Sequence, residues 1–391
     1  MDLPFQIVTG THANGVEDDS PAINGFLAQA RGVVFLPAGT YSVRSSLEVP
    51  PGVTLLGAGW TWPGAVQPLP RLRGTWLIAP VNSQSSAIVL RDGSALRNVA
   101  FAVDGQHTPA AQPHRFPDIN ATVHVQGSDA LIEDLFMANP YVGVYIEGVG
   151  RVTIRRLYGQ PLQFGIVIDR SLDTNYIDNV HFWPYWQRMD GPQAQFQQGQ
   201  GRAIELYRCD NPHLSNIFVS NYDQGLSLRP SPAPPGGANL PPGQPIPHKV
   251  HLVNADFDST TTGIYVGAPG QVGDLTFVQL ANVTMQGPSA GPIQQHPGLW
   301  VDRAASFARV HASNLRVSNS ITNALQIDGV NVHFSGENVH LQRWGGDTGL
   351  MVSDGSSHAF LGASFSAEGP SRPFGGQGRF HFAQTGGSPG S

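Results

Sequence analysis

One pattern recurs along most of this chain. A short apolar-alternating strand is followed by a turn and then by a strand of the form apolar-x-Asn-apolar-x-apolar. The short strand reads GVYIEG at 143–148, GIVIDR at 165–170, AIELYR at 203–208 and GLSLRP at 225–230. It continues as GIYVG at 263–267, GLWVDR at 298–303, ALQIDG at 324–329 and GLMVSD at 349–354. The companion reads LIEDLFM at 131–137, YIDNVHF at 176–182, HLSNIFV at 213–219, HLVNADF at 251–257 and QLANVTM at 279–285. Units of roughly 20–40 residues with a two-residue apolar period predict stacked coils, a β-solenoid. Because neighbouring coils share one continuous core, the repeat argues for one body despite a length of 391 residues.

Composition agrees with a turn-rich all-β chain. Charged residues make up only 13%, with Gly 46 and Pro 32. A net charge of -6 lacks the basic footprint that nucleic-acid binding requires. No apolar run approaches the ~18 residues of a membrane helix. The opening MDLPFQIVTG has neither a basic n-region nor an apolar h-region, so no signal peptide is expected within these residues. The expected location is extracellular, by a leader outside this sequence or by another route, or on a virion. The lone Cys209 permits no intrachain disulfide and is expected to be a half-buried turn residue.

Asp18-Asp19-Ser20-Pro21 followed by Ile23, Phe26 and Leu27 predicts a short helix ending by Gly32, with the acidic pair serving as its cap. Residues 1–32 are thus a lead-in segment with a capping helix. Residues 33–367 form the solenoid, and 368–391 a Gly/Ser/Pro-rich tail. The recurring Asn98, Asn179, Asn216, Asn254, Asn282, Asn314 and Asn338 are expected to stack as an internal ladder at a tight corner, where Asn tolerates left-handed backbone. Four insertions break the rhythm, at 104–121, 183–201, 230–248 and 286–297.

The succession GVEDDSPAINGFLAQA, GVVFLPAGTYSV and GVTLLGAG over the first sixty residues resembles the N-terminal signature of the pectate-lyase-like superfamily. That resemblance implies an all-β, right-handed, single-stranded parallel β-helix capped by a helix. It also implies a polysaccharide-active enzyme of the tailspike or depolymerase kind and, among tailspike-like members, a homotrimer. The Asn-Thr-Asp, Asp-Asp and Gly-His-Gly motifs of polygalacturonases do not occur in succession here.

Aligning the short strands assigns their faces. Pairs such as Ile166/Ile168 and Ile204/Leu206 point inward. Outward positions then carry Tyr145, Glu205, Tyr265 and Trp300 in one row, and Asp169, Tyr207, Arg229, Asp302 and Asp328 in the next. Carboxylates beside aromatics suit a sugar polymer, because rings stack on pyranose faces and acids perform proton transfer. Asp169 and Glu205, one coil and two residues apart, have Cα atoms about 8 Å apart by strand geometry. Their carboxyls then fit the roughly 5–9.5 Å used in glycoside hydrolysis.

The expected activity is endo-acting hydrolysis of a polysaccharide by Asp169 and Glu205, with Tyr207 and Arg229 beside them. Both carboxylates are expected to face solvent. Tyr145, Tyr265, Trp300, Asp302 and Asp328 would bind substrate, as would Trp183, Tyr185 and Trp186 of the second insertion. Those three either wall the groove or pack down on the coil. His181 is an acid–base candidate or a structural histidine. The alternatives are a lyase, in which Arg229 or Tyr207 stands near the abstracted proton and Arg or Ca²⁺ neutralises a uronate, and a non-catalytic glycan-binding spike. No cofactor is otherwise expected, and no zinc-type His/Cys spacing occurs; Asp256 and Asp258 share a face without evident further ligands.

Overall fold

In the computed structural model the coils stack in parallel, and between Val123 and Gln342 each consists of one short strand and one long strand. Described here are residues 5–61, 73–80, 86–104, 121–185, 191–230, 248–268, 270, 275–288, 296–320 and 322–383. The short strands form one twelve-stranded sheet, which includes Val142–Glu147, Phe164–Asp169, Arg202–Leu206, Gln224–Leu228 and Thr262–Val266. The long strands form an eighteen-stranded sheet. The molecule is a right-handed parallel β-helix.

Register explains the core. Val144, Ile166, Ile204, Leu226, Ile264, Leu299, Leu325 and Leu350 pair coil to coil in one column. All eight are fully buried. Each inward side chain thus packs on its equivalents above and below. A continuous apolar column forms at the roughly 4.8 Å strand spacing.

Each long strand is bent at one residue. In Pro212–Ser220 the bend is Asn216, with φ +55°. Leu214 and Ile217, three apart, both point inward, so the alternation slips by one at the bend. Asn254, Asn282, Asn314 and Asn338 occupy the same corner with φ between +51° and +55°. Their amides chain together: Asn254 Nδ2 donates to Asn216 Oδ1 at 3.3 Å, Asn282 to Asn254 at 3.0 Å, Asn314 to Asn282 at 2.8 Å and Asn338 to Asn314 at 2.6 Å. Asn216 ends the chain on Asp178 Oδ1 at 2.8 Å. This ladder is exposed rather than internal. The correction has a simple cause: with both flanking residues committed inward, the left-handed corner residue projects its side chain out. In earlier coils Asp134 and Arg156 take the corner, with φ +54° and +53°, and pair with each other.

At the other corner, where the short strand begins, side chains must be small. A Cβ on Gly225 would lie 2.2 Å from Phe257 Cδ1, and one on Gly165 would lie 2.3 Å from Phe182 Cε2.

The helix α1 (Ser20–Gln29) buries Ile23 and Leu27 at the end of the core. Its N-cap residue, Asp19, makes no side-chain cap bond. Asp18 instead accepts from the Ser20 amide at 3.0 Å, while buried Asp19 accepts from the His12 amide at 2.7 Å. The acidic pair therefore ties the lead-in segment down as well as starting the helix. At the far end, Arg372–Gly376 pairs with Thr348–Val352, and Arg379–Phe382 with His358–Leu361. Coil pairing continues past 367, the expected start of the tail.

If the positive-φ corner is what the ladder stabilises, Asn282→Ala should cost about 1–2 kcal/mol and Asn282→Gly distinctly less, since glycine meets φ +54° without strain. Urea unfolding midpoints of the two variants measure the difference. Equal losses would place the stabilisation in the amide bonds instead.

Candidate functional site

The outward face of the short-strand sheet carries the expected residues in the expected rows, but not in the expected environment. Val167 pairs with Glu205, Glu205 with Ser227, and Ser227 with Tyr265. Asp169 and Glu205 are both 0% exposed rather than solvent-facing. Alternation decides which face a side chain takes; it does not reveal that neighbours on that face close over it. Tyr145, Val142, Phe164, Val167 and Tyr207 form an outer apolar layer there.

Glu205 is gripped by two guanidinium groups. Arg202 Nη1 lies 3.0 Å from its Oε1 and Arg229 Nε 3.4 Å. Arg229 is itself held in place, donating to Ser227 Oγ and Gln224 Oε1 at 3.0 Å each, with its Cζ 4.2 Å above the Tyr265 ring. Burial, then the charge of Glu205, raises the Tyr207 phenol far above its ordinary range. Asp169 belongs to a neighbouring network. Its Oδ2 lies 3.4 Å from Arg170 Nε, and its Oδ1 accepts from the Arg208 amide at 3.4 Å.

Asp223, which outward-row reasoning passed over, is the informative addition. It immediately precedes the strand Gln224–Leu228, outside the alternating positions. It is 9% exposed, and its Oδ1 makes no hydrogen bond. Burial raises its pKa to about 6; the fields of Arg202 and Arg229 oppose the shift and lose.

Its position is set by the second insertion. There α2 (Pro192–Gln200) places buried Gln197, whose carbonyl accepts from the Asp223 amide at 2.9 Å. Gln160 donates to Gln197 Oε1 at 2.9 Å, and Gln197 Nε2 donates to the Pro161 carbonyl at 2.8 Å. A Gln-rich segment carries no apolar stripe, so this helix is not visible to periodicity. An acid next to a strand start, one coil from an Arg at the equivalent start, was the available signal.

The remaining expected residues divide. Tyr265 stays at the cluster, edge-on to Trp300 at 5.3 Å. Trp300 donates to Asp328 Oδ2 at 2.9 Å, and Asp328 also accepts from Gln326 and Ser353, so this acid is a structural hub. Asp302 accepts from the Ala304 amide within a turn. Tyr145 stacks on His124 at 5.0 Å and lies two coils before Glu205 in the same outward row.

Trp183 and Tyr185 pack down on the outer side of the long strands rather than walling the short-strand face. Trp183 lies 6.0 Å from Phe218, and Tyr185 lies 5.5 Å from Phe136. Tyr185 also bonds His181 Nδ1 at 3.2 Å, and burial lowers the His181 pKa, which suits a structural histidine. Trp186 lies outside the described residues. Cys209 is fully buried, which pushes its thiol far up. Asp256 is raised by burial and then by Asp258. Among the described residues no three His, Cys, Asp or Glu side chains gather to hold a metal ion.

Comparison with known proteins adds the following. Residues 9–183 match the family described as "Rhamnogalacturonase A/epimerase, pectate lyase-like". The fold is similar to the A-module of mannuronan C-5 epimerase AlgE4 from Azotobacter vinelandii, at 13% identity and TM-score 0.56, covering 98% of this chain and 100% of that one. It is also similar to the catalytic domain of a GH87 α-1,3-glucanase in complex with nigerose, at 14% identity and TM-score 0.51, covering 98% of this chain and 68% of that one. Likeness at this identity speaks to fold alone. A 55-residue stretch is 36% identical to the non-secreted LysM effector LysM19 of Penicillium expansum, spanning 13% of this chain and 4% of that protein.

The raised pKa of Asp223 has a consequence for stability. Its folded value of about 6 lies above the ordinary 3.8, so the folded state holds the proton more tightly. That contribution is present below about pH 4 and is lost as pH rises through 6. Asp223→Asn keeps the neutral shape. It should match the parent near pH 4 and exceed its stability at pH 8 by on the order of 2–3 kcal/mol. Thermal unfolding at the two pH values checks this; destabilisation at pH 8 would mean that the ionised carboxylate is paired.

Proposed function

We propose, from the premise that this chain is a right-handed parallel β-helix of the pectate-lyase-like superfamily, that it hydrolyses a polysaccharide at the outer face of its short-strand sheet. The observation that carries this reading is a carboxyl pair in opposed environments. Glu205 sits between two guanidinium groups, with both contacts on its Oε1. Asp223, nearby and buried without a partner for Oδ1, keeps its proton up to about pH 6. An acid that holds its proton beside a second, ion-paired carboxyl is an arrangement suited to hydrolysis of an acetal.

In this reading Asp223 gives its proton to the glycosidic oxygen as that bond breaks. Glu205 supports the electron-poor anomeric carbon, and water supplies the new hydroxyl while its other proton goes to the Asp223 carboxylate, restoring the acid. Arg202 and Arg229 orient Glu205, and Tyr265 holds Arg229 from below. Asp169 lies in the adjacent Arg170 network and acts on position rather than on the proton.

Elimination from a uronate is the second reading, favoured by the paired guanidiniums. With Asp223 protonated, Arg202 and Arg229 outnumber the one carboxylate and would suit a sugar acid. It lacks a ready base, however. Burial and Glu205 keep the Tyr207 phenol protonated, and Arg229 is ion-paired. A phenol so held keeps its proton at neutral pH and can donate a hydrogen bond; it does not remove a proton.

Incubation with a panel of acidic and neutral polysaccharides separates the readings. New reducing ends without an ultraviolet-absorbing unsaturated product indicate hydrolysis. The unsaturated product would indicate elimination, and binding without any product would indicate a spike. Glu205→Gln should reduce turnover by roughly 10²–10⁴-fold with substrate affinity largely kept. Full activity in that variant removes Glu205 from the reaction.

A further inference from the structure

Two grooves among the described residues lie away from Glu205. They lie on the opposite side of the coil, along the outer face of the first halves of the long strands. One, of about 400 Å³, is lined by Phe277, Arg309, His311, His333, Ser335 and Phe360. The next, of about 300 Å³, shares His311, Ser335 and Phe360 with it and continues to His381. Together they make a trough running along the solenoid axis.

Parallel register produces this surface. Tyr176, His213 and His251 fall in one outward column, and His311, Ser335, Phe360 and His381 continue it. Beside it run Arg309, His333, His358 and Arg379. The rings stack on one another: His213 on His251 at 4.7 Å and 8°, His333 on His358 at 5.3 Å and 10°, and Phe360 on His381 at 4.4 Å and 11°. With ring faces turned toward each other, ring edges point to solvent. His251 Nδ1 is engaged along the column by Gln279 at 3.0 Å, and His311 Nδ1 by Ser335 at 2.8 Å, which leaves Nε2 of each for an outside partner.

We propose that this face is a second binding site, for an anionic polysaccharide lying along the solenoid axis with its acidic groups against the imidazole and guanidinium edges. Charge complementarity carries the choice of an anion. The chain is net -6, yet this strip bears Arg309, Arg379 and six histidines. The charged groups facing the strip are few. Lys249 is paired with Asp210 at 3.4 Å, Asp178 is bonded to Ser215 and Asn216, and Glu337 lines the second groove. Tyr176 is the other titratable neighbour. Stacked histidines also oppose one another's protonation: burial, then His251, lowers His213, and burial, then His358 and Arg309, lowers His333. A bound anion relieves that repulsion.

Geometry favours a polysaccharide over a single-stranded nucleic acid, because bases need ring faces on which to stack and these faces are already covered. A second copy of this chain is disfavoured by like charge meeting like charge. The choice of a sugar polymer rests on the reading of the Glu205 site; the preference for anions does not.

The test uses the full chain carrying Glu205→Gln, so that binding is read without turnover. Labelled oligouronate, neutral dextran oligomers and oligo-dT are titrated at about pH 5.5 and pH 8, spanning the histidine range. Oligouronate should bind, more tightly at the lower pH and at low salt, while dextran does not. Adding Arg309→Gln, His311→Gln and His333→Gln together should weaken it about tenfold or more and flatten the pH response. Circular dichroism checks the fold, and Arg309→Gln alone, losing severalfold, serves if the triple variant unfolds. Unchanged affinity in these variants, equal binding of dextran, tighter binding of oligo-dT, or self-association through this face by sedimentation would each overturn the proposal. Loss of turnover at Glu205 has no bearing on these outcomes, so the two readings fail separately.

Discussion

Each coil depends on one backbone residue held at positive φ in the long strand. Without that corner the long strand would stay straight, and Leu214 and Ile217, three residues apart, could not both face the core. The corner closes the coil, closure stacks the strands in parallel, and parallel stacking places like positions above like. Inward, this repetition makes the apolar columns from Val144 to Leu350. Outward, it makes ladders of whatever the sequence supplies, including amides at the corner, imidazoles on one face, and acids with guanidiniums on another. Asn is suited to the corner because it tolerates φ near +55° and its amide both donates and accepts along the stack.

The two outer faces put this repetition to different uses. On the short-strand face side chains close over one another, so Glu205 is buried yet ion-paired and Asp223 is buried yet unpaired at Oδ1. The two acids differ because the guanidinium groups touch one of them and only influence the other through space. Desolvation then wins at Asp223 and leaves it protonated nearly to neutrality. On the long-strand face the outward ladders stay open to solvent and keep their edges available.

Much of the fold is legible in the sequence, because strand alternation and the Asn corner are local rules that repeat coil after coil. The inward pairs, the helix α1 and the positive φ at Asn216, Asn254, Asn282, Asn314 and Asn338 all follow from residue type and spacing. Less legible is what covers a face. The burial of Asp169 and Glu205, the packing of Trp183 and Tyr185 against Phe218 and Phe136, and the binding of Trp300 to Asp328 depend on neighbours from other coils. The helix α2 escapes periodicity because its buried contacts are made by glutamines through hydrogen bonds, not by an apolar stripe. Asp223 escapes with it, since that helix is what positions it.

The central claim is that Asp223 supplies the proton in glycosidic cleavage while Glu205, held by Arg202 and Arg229, serves as the second carboxyl. Its most direct test is the pH dependence of kcat/KM on a cleaved polysaccharide, for the parent chain and for Asp223→Asn. The account predicts a parent rate that declines above about pH 6, following the Asp223 proton, and a variant whose residual rate lacks that limb. A limb that survives unchanged in Asp223→Asn would assign the proton to another group and contradict the account.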